Sequence, residues 1–147
     1  MEELLDVAKY ISEKISDSYW PDKKIQKLTY YAYCWYIAKN NVDENNITKR
    51  LFSAHPEAWI HGPVFYELYD EMTYNRRKFF ERQVNLSKET KEFLDRIIYF
   101  YGGFTGNQLE DMTHCEKPWI EARKNLAAHE RSREELKDDV IYSYYKN

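Results

Sequence analysis

The sequence predicts a mainly α-helical fold, with one compact multi-helix domain over residues 1–147 and room for a short two-stranded β element. Only 4 Gly and 4 Pro interrupt the 147 residues, and the stretches between them repeat apolar residues at about 3.6 positions, the helical period. With 43% hydrophobic and 32% charged residues, the composition is typical of a globular domain that folds in water, not of a disordered chain.

Apolar spacing predicts the first two helices. Leu4, Ala8, Ile11 and Ile15 recur at helical intervals, which indicates an ordinary amphipathic helix. The second helix should begin near residues 21–22, with Asp22 as its N-cap. Aromatic and aliphatic residues then cover nearly all of its circumference through position 37, so we expect this helix to lie at the centre of the domain.

The middle of the chain is less regular. After the polar run at 40–46, the alternation at 58–60 favours a short strand. Gly62 and Pro63 are expected to open a helix, because proline fits the first helical turn, where a missing N–H costs nothing. Its inner stripe would be Val64, Phe65, Leu68 and Met72. Residues 75–86 show no clear period, so a hairpin, a loop and a short strand all remain open.

Each of the last four predicted helices begins at a recognisable N-terminal signal, either a capping residue or a proline in the first turn. In chain order the signals are Ser87, the Thr105–Gln108 capping box, Pro118 and the Ser132–Glu135 capping box. The first of these helices should end at Gly102 and Gly103, and the second near Cys115. The last carries an aromatic tail at 142–145.

Charge and hydropathy argue against nucleic-acid and membrane partners. The formal charge is −3, and acidic and basic residues are mixed throughout, so no general field attracts a phosphate backbone. The short basic cluster at 76–82 is interleaved with phenylalanines, as in a solvated turn beside core anchors. No apolar run approaches about 20 residues, and the acidic N-terminus does not resemble a signal peptide, so we expect a cytoplasmic protein.

Catalytic and metal chemistry has little support, and we expect neither a cofactor nor a metal. The common phosphate-binding and hydrolase motifs do not occur. The two cysteines, Cys34 and Cys115, form no disulfide framework and no paired metal-ligand motif. An enzyme or metal protein would need spatial convergence of His55, His61, His114 and Cys115. We therefore expect a binding protein and not an enzyme.

Aromatic residues are unusually frequent, with 14 Tyr, 7 Phe and 4 Trp. Tyrosine is favoured at interfaces, although an AT-rich genome would also enrich Tyr, Asn, Lys and Ile.

Residues 57–64 and 113–119 both place Trp and His beside a proline. In the structural interpretation, Trp fills the core and His or Thr caps a helix. In the functional interpretation, two helix N-termini form one concave recognition surface.

Three ordered segments resemble the Panacea domain, the SocA-like antitoxin family of bacteria and phages. Residues 27–36 are similar to the family's KLLYYAQGWYLA helix, residues 57–64 to its EAWxyGPV signature, and residues 109–123 to its LSxlTHxExPWxxAR stretch. Cys34 stands where the family often has Gly, and His61 where Tyr is common. Together the matches span most of the chain.

This resemblance implies a toxin–antitoxin role, in which the protein neutralises a cognate protein toxin by direct contact. The toxin would be encoded by a neighbouring gene. The family pairs with chemically unrelated toxins, so the resemblance does not identify the toxin. The alternative is a phage or mobile-element adaptor that bridges a host protein to another factor, such as a protease. Because the chain starts with the domain's own first helix, we expect no sequence-specific DNA binding.

An aromatic-rich groove is the expected partner surface, since binding energy concentrates on aromatic anchors in desolvated pockets. Its predicted residues are Trp59, His61, Gly62, Pro63, Thr113, His114, Trp119 and Tyr30. Arg123 and Glu57 are expected to orient the two turns as a charge-assisted pair. The C-terminal aromatic tail is the alternative surface.

Overall fold

A computed structural model describes residues 1–15 and 20–147 of the chain. Within these residues there are eight helices and one small antiparallel sheet. In chain order the elements are α1 (Leu4–Lys14), α2 (Asp22–Asn40), β1 (Glu57–Trp59), β2 (Gly62–Val64), α3 (Tyr66–Tyr74), α4 (Arg76–Phe80), α5 (Lys88–Tyr101), α6 (Gly106–His114), α7 (Lys117–Ala122) and α8 (Asp138–Lys146). None of the described helices is long and apolar enough to cross a lipid bilayer. The predicted mainly helical single domain with a two-stranded element is confirmed.

Helix α2 forms the centre of the domain, as its apolar circumference predicted. It packs against α1, α3, α5, α6, α8 and β2. Tyr30, Tyr31 and Tyr33 are fully buried on it, and the Tyr31 ring stacks on Tyr101 of α5 at 4.2 Å between centroids. The predicted N-cap at Asp22 is wrong, because Pro21 holds the N-cap position and Asp22 is the first helical residue. The Asp22 carboxylate accepts a hydrogen bond from Arg76 at 2.7 Å.

Buried tyrosine hydroxyls on α2 connect it to the C-terminal helices. The Tyr33 hydroxyl donates to the Asp138 carboxylate at 2.6 Å, at the start of α8. Tyr31 and Tyr145 both donate to Glu116 Oε1, at 2.9 and 2.7 Å. Burial raises the pKa of the Glu116 carboxyl, and the two phenol hydrogen bonds partly oppose that shift. This network fixes α7 and α8 against the central helix.

Strands β1 and β2 form a tight hairpin in which Trp59 lies opposite Gly62. The short strand predicted at 58–60 is present one residue earlier, as Glu57–Trp59, and Ile60 lies in the turn. The prediction that Gly62 and Pro63 open a helix is wrong, because both lie in β2 and α3 begins at Tyr66. The Gln26 side-chain amide donates to the Phe65 carbonyl at 3.1 Å and accepts from the Phe65 N–H at 3.0 Å. These two bonds hold the backbone of Phe65 extended, so helix α3 begins only at Tyr66.

The closing helix also begins later than the sequence indicated. The Ala58 N–H donates to the Glu134 carbonyl at 2.7 Å, and the Leu136 N–H donates to the Pro56 carbonyl at 2.9 Å. These bonds hold the chain before α8 extended along β1. The predicted capping box at 132–135 is therefore wrong, and the Ser132 hydroxyl instead accepts from the Glu134 N–H two residues ahead.

Two of the other predicted helix starts are confirmed by their capping bonds. Ser87 accepts from the Thr90 N–H at 3.1 Å, and both bonds of the Thr105–Gln108 capping box are present. Pro118 lies in the first turn of α7, as predicted. Residues 75–86 contain the short helix α4, which none of the three open alternatives included. Its buried Phe79 anchors it to the core, so tertiary packing determines this helix.

A candidate partner-binding groove around Trp119

A groove of about 510 Å³ opens beside α6 and α7, and we call it the Trp119 groove. Its lining is mainly apolar with titratable side chains at its edges, a composition typical of binding sites. The residues that define it are Ile60, His61, His114, Trp119, Ile120 and Leu126. Ile120 is 46% exposed, although it lies next to the partly buried Trp119 in a short helix. The groove therefore presents apolar surface to solvent.

The indole of Trp119 is held from three directions. Its Nε1 donates to the Trp59 carbonyl at 2.9 Å, which joins α7 to the hairpin. The imidazole of His114 stacks on it, with 4.1 Å between centroids and 23° between planes. The Arg123 guanidinium carbon lies 5.4 Å from the ring centroid. A ring fixed in this way offers a rigid apolar surface with little entropy to lose on binding.

Arg123 is buried and closes the turn after α7. Its guanidinium donates to the carbonyls of Ala58 at 2.7 Å, Glu130 at 2.5 Å and Ala127 at 3.4 Å. The planar fork of arginine can reach several acceptors at once, which a lysine ammonium on one stem does less well. Arg123 therefore fastens the loop after α7 to strand β1.

The predicted pair between Arg123 and Glu57 is wrong. Glu57 instead pairs with Arg133 through two bonds, from Nε to Oε1 at 2.9 Å and from Nη2 to Oε2 at 3.0 Å. Its Oε1 also accepts from the Trp59 indole N–H at 2.9 Å. The backbone carbonyls around Arg123 satisfy that cation, so no carboxylate is needed beside it.

Glu110 on α6 gathers three basic side chains at the groove edge. Lys23 Nζ lies 2.6 Å from Oε1, His61 Nδ1 lies 3.1 Å from Oε2, and His114 Nε2 lies 4.0 Å from Oε2. Burial alone would raise the pKa of the Glu110 carboxyl, but hydrogen bonds from Lys23 and His61 lower it below its ordinary value. Glu110 is therefore an ionised carboxylate already engaged by neighbours.

His114 has an apolar role in the groove. Burial lowers the pKa of its imidazole, and the nearby Glu110 carboxylate only partly opposes that shift. The ring is therefore neutral at neutral pH. Among the described residues, no hydrogen-bond partner reaches its Nε2, which is shielded from solvent. A neutral stacked ring extends the Trp119 surface and leaves little scope for proton transfer to a molecule in the groove.

Lys27 and Gly62 support the groove from below. The buried Lys27 ammonium donates to the Pro63 carbonyl at 3.0 Å, and burial lowers its pKa to about 7 despite the nearby Glu110 carboxylate. Gly62 has φ +104°, and a Cβ atom there would lie 2.7 Å from Lys27 Cε and 3.0 Å from Thr113 Oγ1. Only glycine combines this backbone angle with this close approach.

Some of the predicted site residues line the Trp119 groove, and others are buried beneath it. His61, His114 and Trp119 line the Trp119 groove. Gly62, Pro63 and Thr113 are buried beneath it and shape the hairpin. These three residues can affect a partner only by positioning the others.

Two predicted residues do not line the groove. The Trp59 ring packs edge-on against Tyr69 at 5.0 Å between centroids, and only its backbone carbonyl reaches Trp119. Tyr30 is fully buried on α2 and presents no surface to a partner. The reason is that α2 buries nearly its whole circumference, so an aromatic residue on it is a core residue.

Sequence reasoning missed Glu110, Lys27 and Ile120. The spacing of Glu110 four residues before His114 was an available signal, because such residues face each other on a helix. For Lys27 the local signal was weak, because Gln26 precedes it and only Leu28, which follows it, is apolar. For Ile120 there was no signal, since an exposed and a buried isoleucine look the same in a six-residue helix.

The histidines and cysteines named as alternative ligands do not gather in the part of the chain that is described. His55 lies beside Tyr33, with 3.3 Å between Nδ1 and the hydroxyl, whereas His61 and His114 lie at Glu110. Cys115 is exposed. Across residues 1–15 and 20–147, no group of three or more His, Cys, Asp or Glu side chains is arranged to hold a metal ion.

Comparison with family models matches residues 25–120 to the antitoxin SocA-like, Panacea domain. The chain belongs to this family. The Panacea match runs from the first turn of α2 through the hairpin to Ile120, so it includes His61, His114 and Trp119. The resemblance inferred from three sequence segments is thereby confirmed. Comparisons with curated proteins and with solved structures find no match.

Proposed function

We propose that this Panacea-domain protein is an antitoxin that neutralises a cognate protein toxin by binding it through the Trp119 groove. The family supports an antitoxin-like role with a protein partner. The observation that carries the groove assignment is the exposed Ile120 beside a rigidly held Trp119, with His61 and Lys124 at the edge. An apolar centre with a polar rim is the usual anatomy of a protein interface.

The state of the groove's polar groups supports binding over catalysis. The Glu110 carboxylate is engaged by Lys23 and His61, and the Arg123 guanidinium by backbone carbonyls. His114 is stacked and neutral, with Nε2 shielded. A general acid or base must reach its substrate by a hydrogen bond. We therefore propose that these groups hold the groove's shape while a partner side chain covers its apolar floor.

A large apolar side chain of the toxin would cover Ile120 and the free face of Trp119. Burying one such side chain fully is worth about 1.5–3 kcal/mol, and the covered surface of the groove adds to that. Because interface energy concentrates on few central residues, a single substitution at the groove centre should weaken the complex strongly.

The test is co-expression with the products of neighbouring genes, using growth as the readout and co-purification as the check. Ile120→Asp puts a charge at the centre of the groove on a side chain that is already 46% exposed. Val42→Asp is the matched control, because Val42 is 94% exposed and lies in the loop after α2. Circular dichroism of both variants verifies that they fold.

We expect the wild-type chain and Val42→Asp to restore growth against the toxic neighbour and to co-purify with it, and Ile120→Asp to do neither. Full protection by folded Ile120→Asp would reject the groove as the toxin site. If no neighbouring product is toxic, the antitoxin proposal itself fails, and the adaptor alternative is favoured.

A further inference from the structure

A second apolar groove, of about 500 Å³, lies between α2 and α5, and we call it the α2–α5 groove. Its lining includes the aromatic residues Trp35, Phe93, Phe100 and Tyr101, together with Lys39 and Arg96. It shares no lining residue with the Trp119 groove. Phe100 is 69% exposed, so with the groove beside it the surface carries a contiguous apolar patch, which is a feature of interaction sites.

The floor of this groove is rigid, and its polar atoms are already satisfied. The Trp35 indole N–H donates to the Tyr101 hydroxyl at 2.7 Å. The Tyr101 ring stacks on Tyr31, with 4.2 Å between centroids and 9° between planes. Trp35 also packs against Tyr145 of α8, at 5.3 Å between centroids. With these polar atoms paired inward, the groove offers mainly apolar ring surface to solvent, which a partner can cover without breaking a hydrogen bond.

Charge distinguishes this groove from an ordinary apolar depression. Lys39 and Arg96 are exposed, and neither has a carboxylate partner among the described residues. Of residues 1–15 and 20–147, no Asp or Glu lines the groove, although the chain carries a net charge of −3. Elsewhere several cations have a carboxylate within 2.6–2.9 Å: Lys23, Arg50, Arg76 and Arg82.

We infer that the α2–α5 groove docks an acidic amphipathic helix of a partner protein. The partner helix places large apolar side chains on the aromatic floor, and its flanking carboxylates pair with Lys39 and Arg96. A groove between two helices suits helix-in-groove recognition, in which residues at i, i+3, i+4 and i+7 supply the anchors. Arg96 lies 6.0 Å from the centroid of the Phe93 ring, which places its charge at the groove. Cations without a carboxylate partner beside an apolar floor select acidic partners and suppress basic ones. This inference does not rest on the proposed toxin site.

The first test compares two synthetic helical peptides against the full chain by fluorescence anisotropy. Both carry the same Leu and Phe residues at i, i+3, i+4 and i+7, and they differ only in having Glu or Lys at the flanking positions. We expect the Glu peptide to bind at least about tenfold more tightly than the Lys peptide, with a smaller difference at high salt. The double variant Lys39→Glu with Arg96→Glu should reverse the preference. Equal binding of the two peptides, or no binding of either, overturns the inference.

The second test locates the contact with a matched pair of variants. Phe100 lines the groove, whereas Tyr74 on α3 does not, although Tyr74 is similarly exposed at 73%. Phe100→Ala should weaken the Glu peptide about tenfold, and Tyr74→Ala should leave its affinity unchanged. The inference fails if the two variants lose affinity equally. It also fails if sedimentation shows a dimer of the chain that Phe100→Ala converts to a monomer, because the groove would then belong to a second copy.

Discussion

Substituting alanine for Gly62 tests the support beneath the Trp119 groove. Gly62 has φ +104°, a backbone angle that residues with a Cβ atom rarely adopt. The added Cβ would lie 2.7 Å from Lys27 Cε and 3.2 Å from Lys27 Nζ. Lys27 is fully buried, so its chain cannot move away without leaving the Pro63 carbonyl, to which it donates at 3.0 Å.

The expected cost follows from these two contributions. The backbone strain is worth about 1–3 kcal/mol. At pH 6, below the pKa of about 7 for Lys27, loss of the hydrogen bond from its charged ammonium adds about 1.5–3 kcal/mol. Gly62→Ala should therefore lower the free energy of unfolding by about 2.5–6 kcal/mol, a large fraction of the stability of an ordinary domain.

Urea denaturation measures this loss, as a lower midpoint with an unchanged slope. Gly103→Ala is the matched control, because Gly103 is exposed and a Cβ there would have no atom within 4 Å. Its effect should stay within about 1 kcal/mol of the wild type. If the two variants differ by less than about 0.5 kcal/mol, the packing described between Gly62 and Lys27 is incorrect.

Three further outcomes are expected. The pKa of Lys27 is about 7 in the folded chain, against 10.5 as its ordinary value, so the unfolded state holds the extra proton between these pH values. From pH 7 to 9 the free energy of unfolding should therefore rise more steeply with pH in the wild type than in Lys27→Met, by up to about 1.4 kcal/mol per pH unit. Parallel pH curves for the two proteins would refute this. Thr105→Ala removes the α6 capping box and should cost about 1 kcal/mol in urea denaturation, whereas no change would mean that the cap contributes nothing. Arg123→Met leaves buried carbonyls without a donor, so it should lower the free energy of unfolding by about 2–4 kcal/mol and change the tryptophan fluorescence. Wild-type stability and fluorescence would contradict the role of Arg123 in holding the loop after α7 to β1.

Local signals predicted much of the helical architecture. Ser87 and Thr105 were identified as caps because a cap depends on residues three positions away, which the sequence displays directly. Strand β2, the second half of the hairpin, and the late start of α8 depend on distant partners. Gln26 holds Phe65 extended, and Glu134 accepts from Ala58. No local sequence pattern indicates such bonds, so residues 62–63 and residues 132–135 were both predicted as helix starts.

The candidate site was predictable to the extent that its residues lie in short motifs. His61, His114 and Trp119 were named from those motifs, and they line one groove. Tyr30 was named as a contact although it is buried, because a helix apolar on all sides does not show which face meets solvent. The Trp59 side chain turns toward Tyr69, an orientation that depends on packing between β1 and α3.

The most direct test of the central claim is site-specific photocrosslinking inside cells that produce the toxic neighbour. A photoreactive amino acid replaces Ile120 in one version of the chain and Val42 in the other. We predict a covalent adduct with the toxin from position 120 and none from position 42. An adduct from position 42 alone, with none from position 120, would contradict a toxin site at the Trp119 groove.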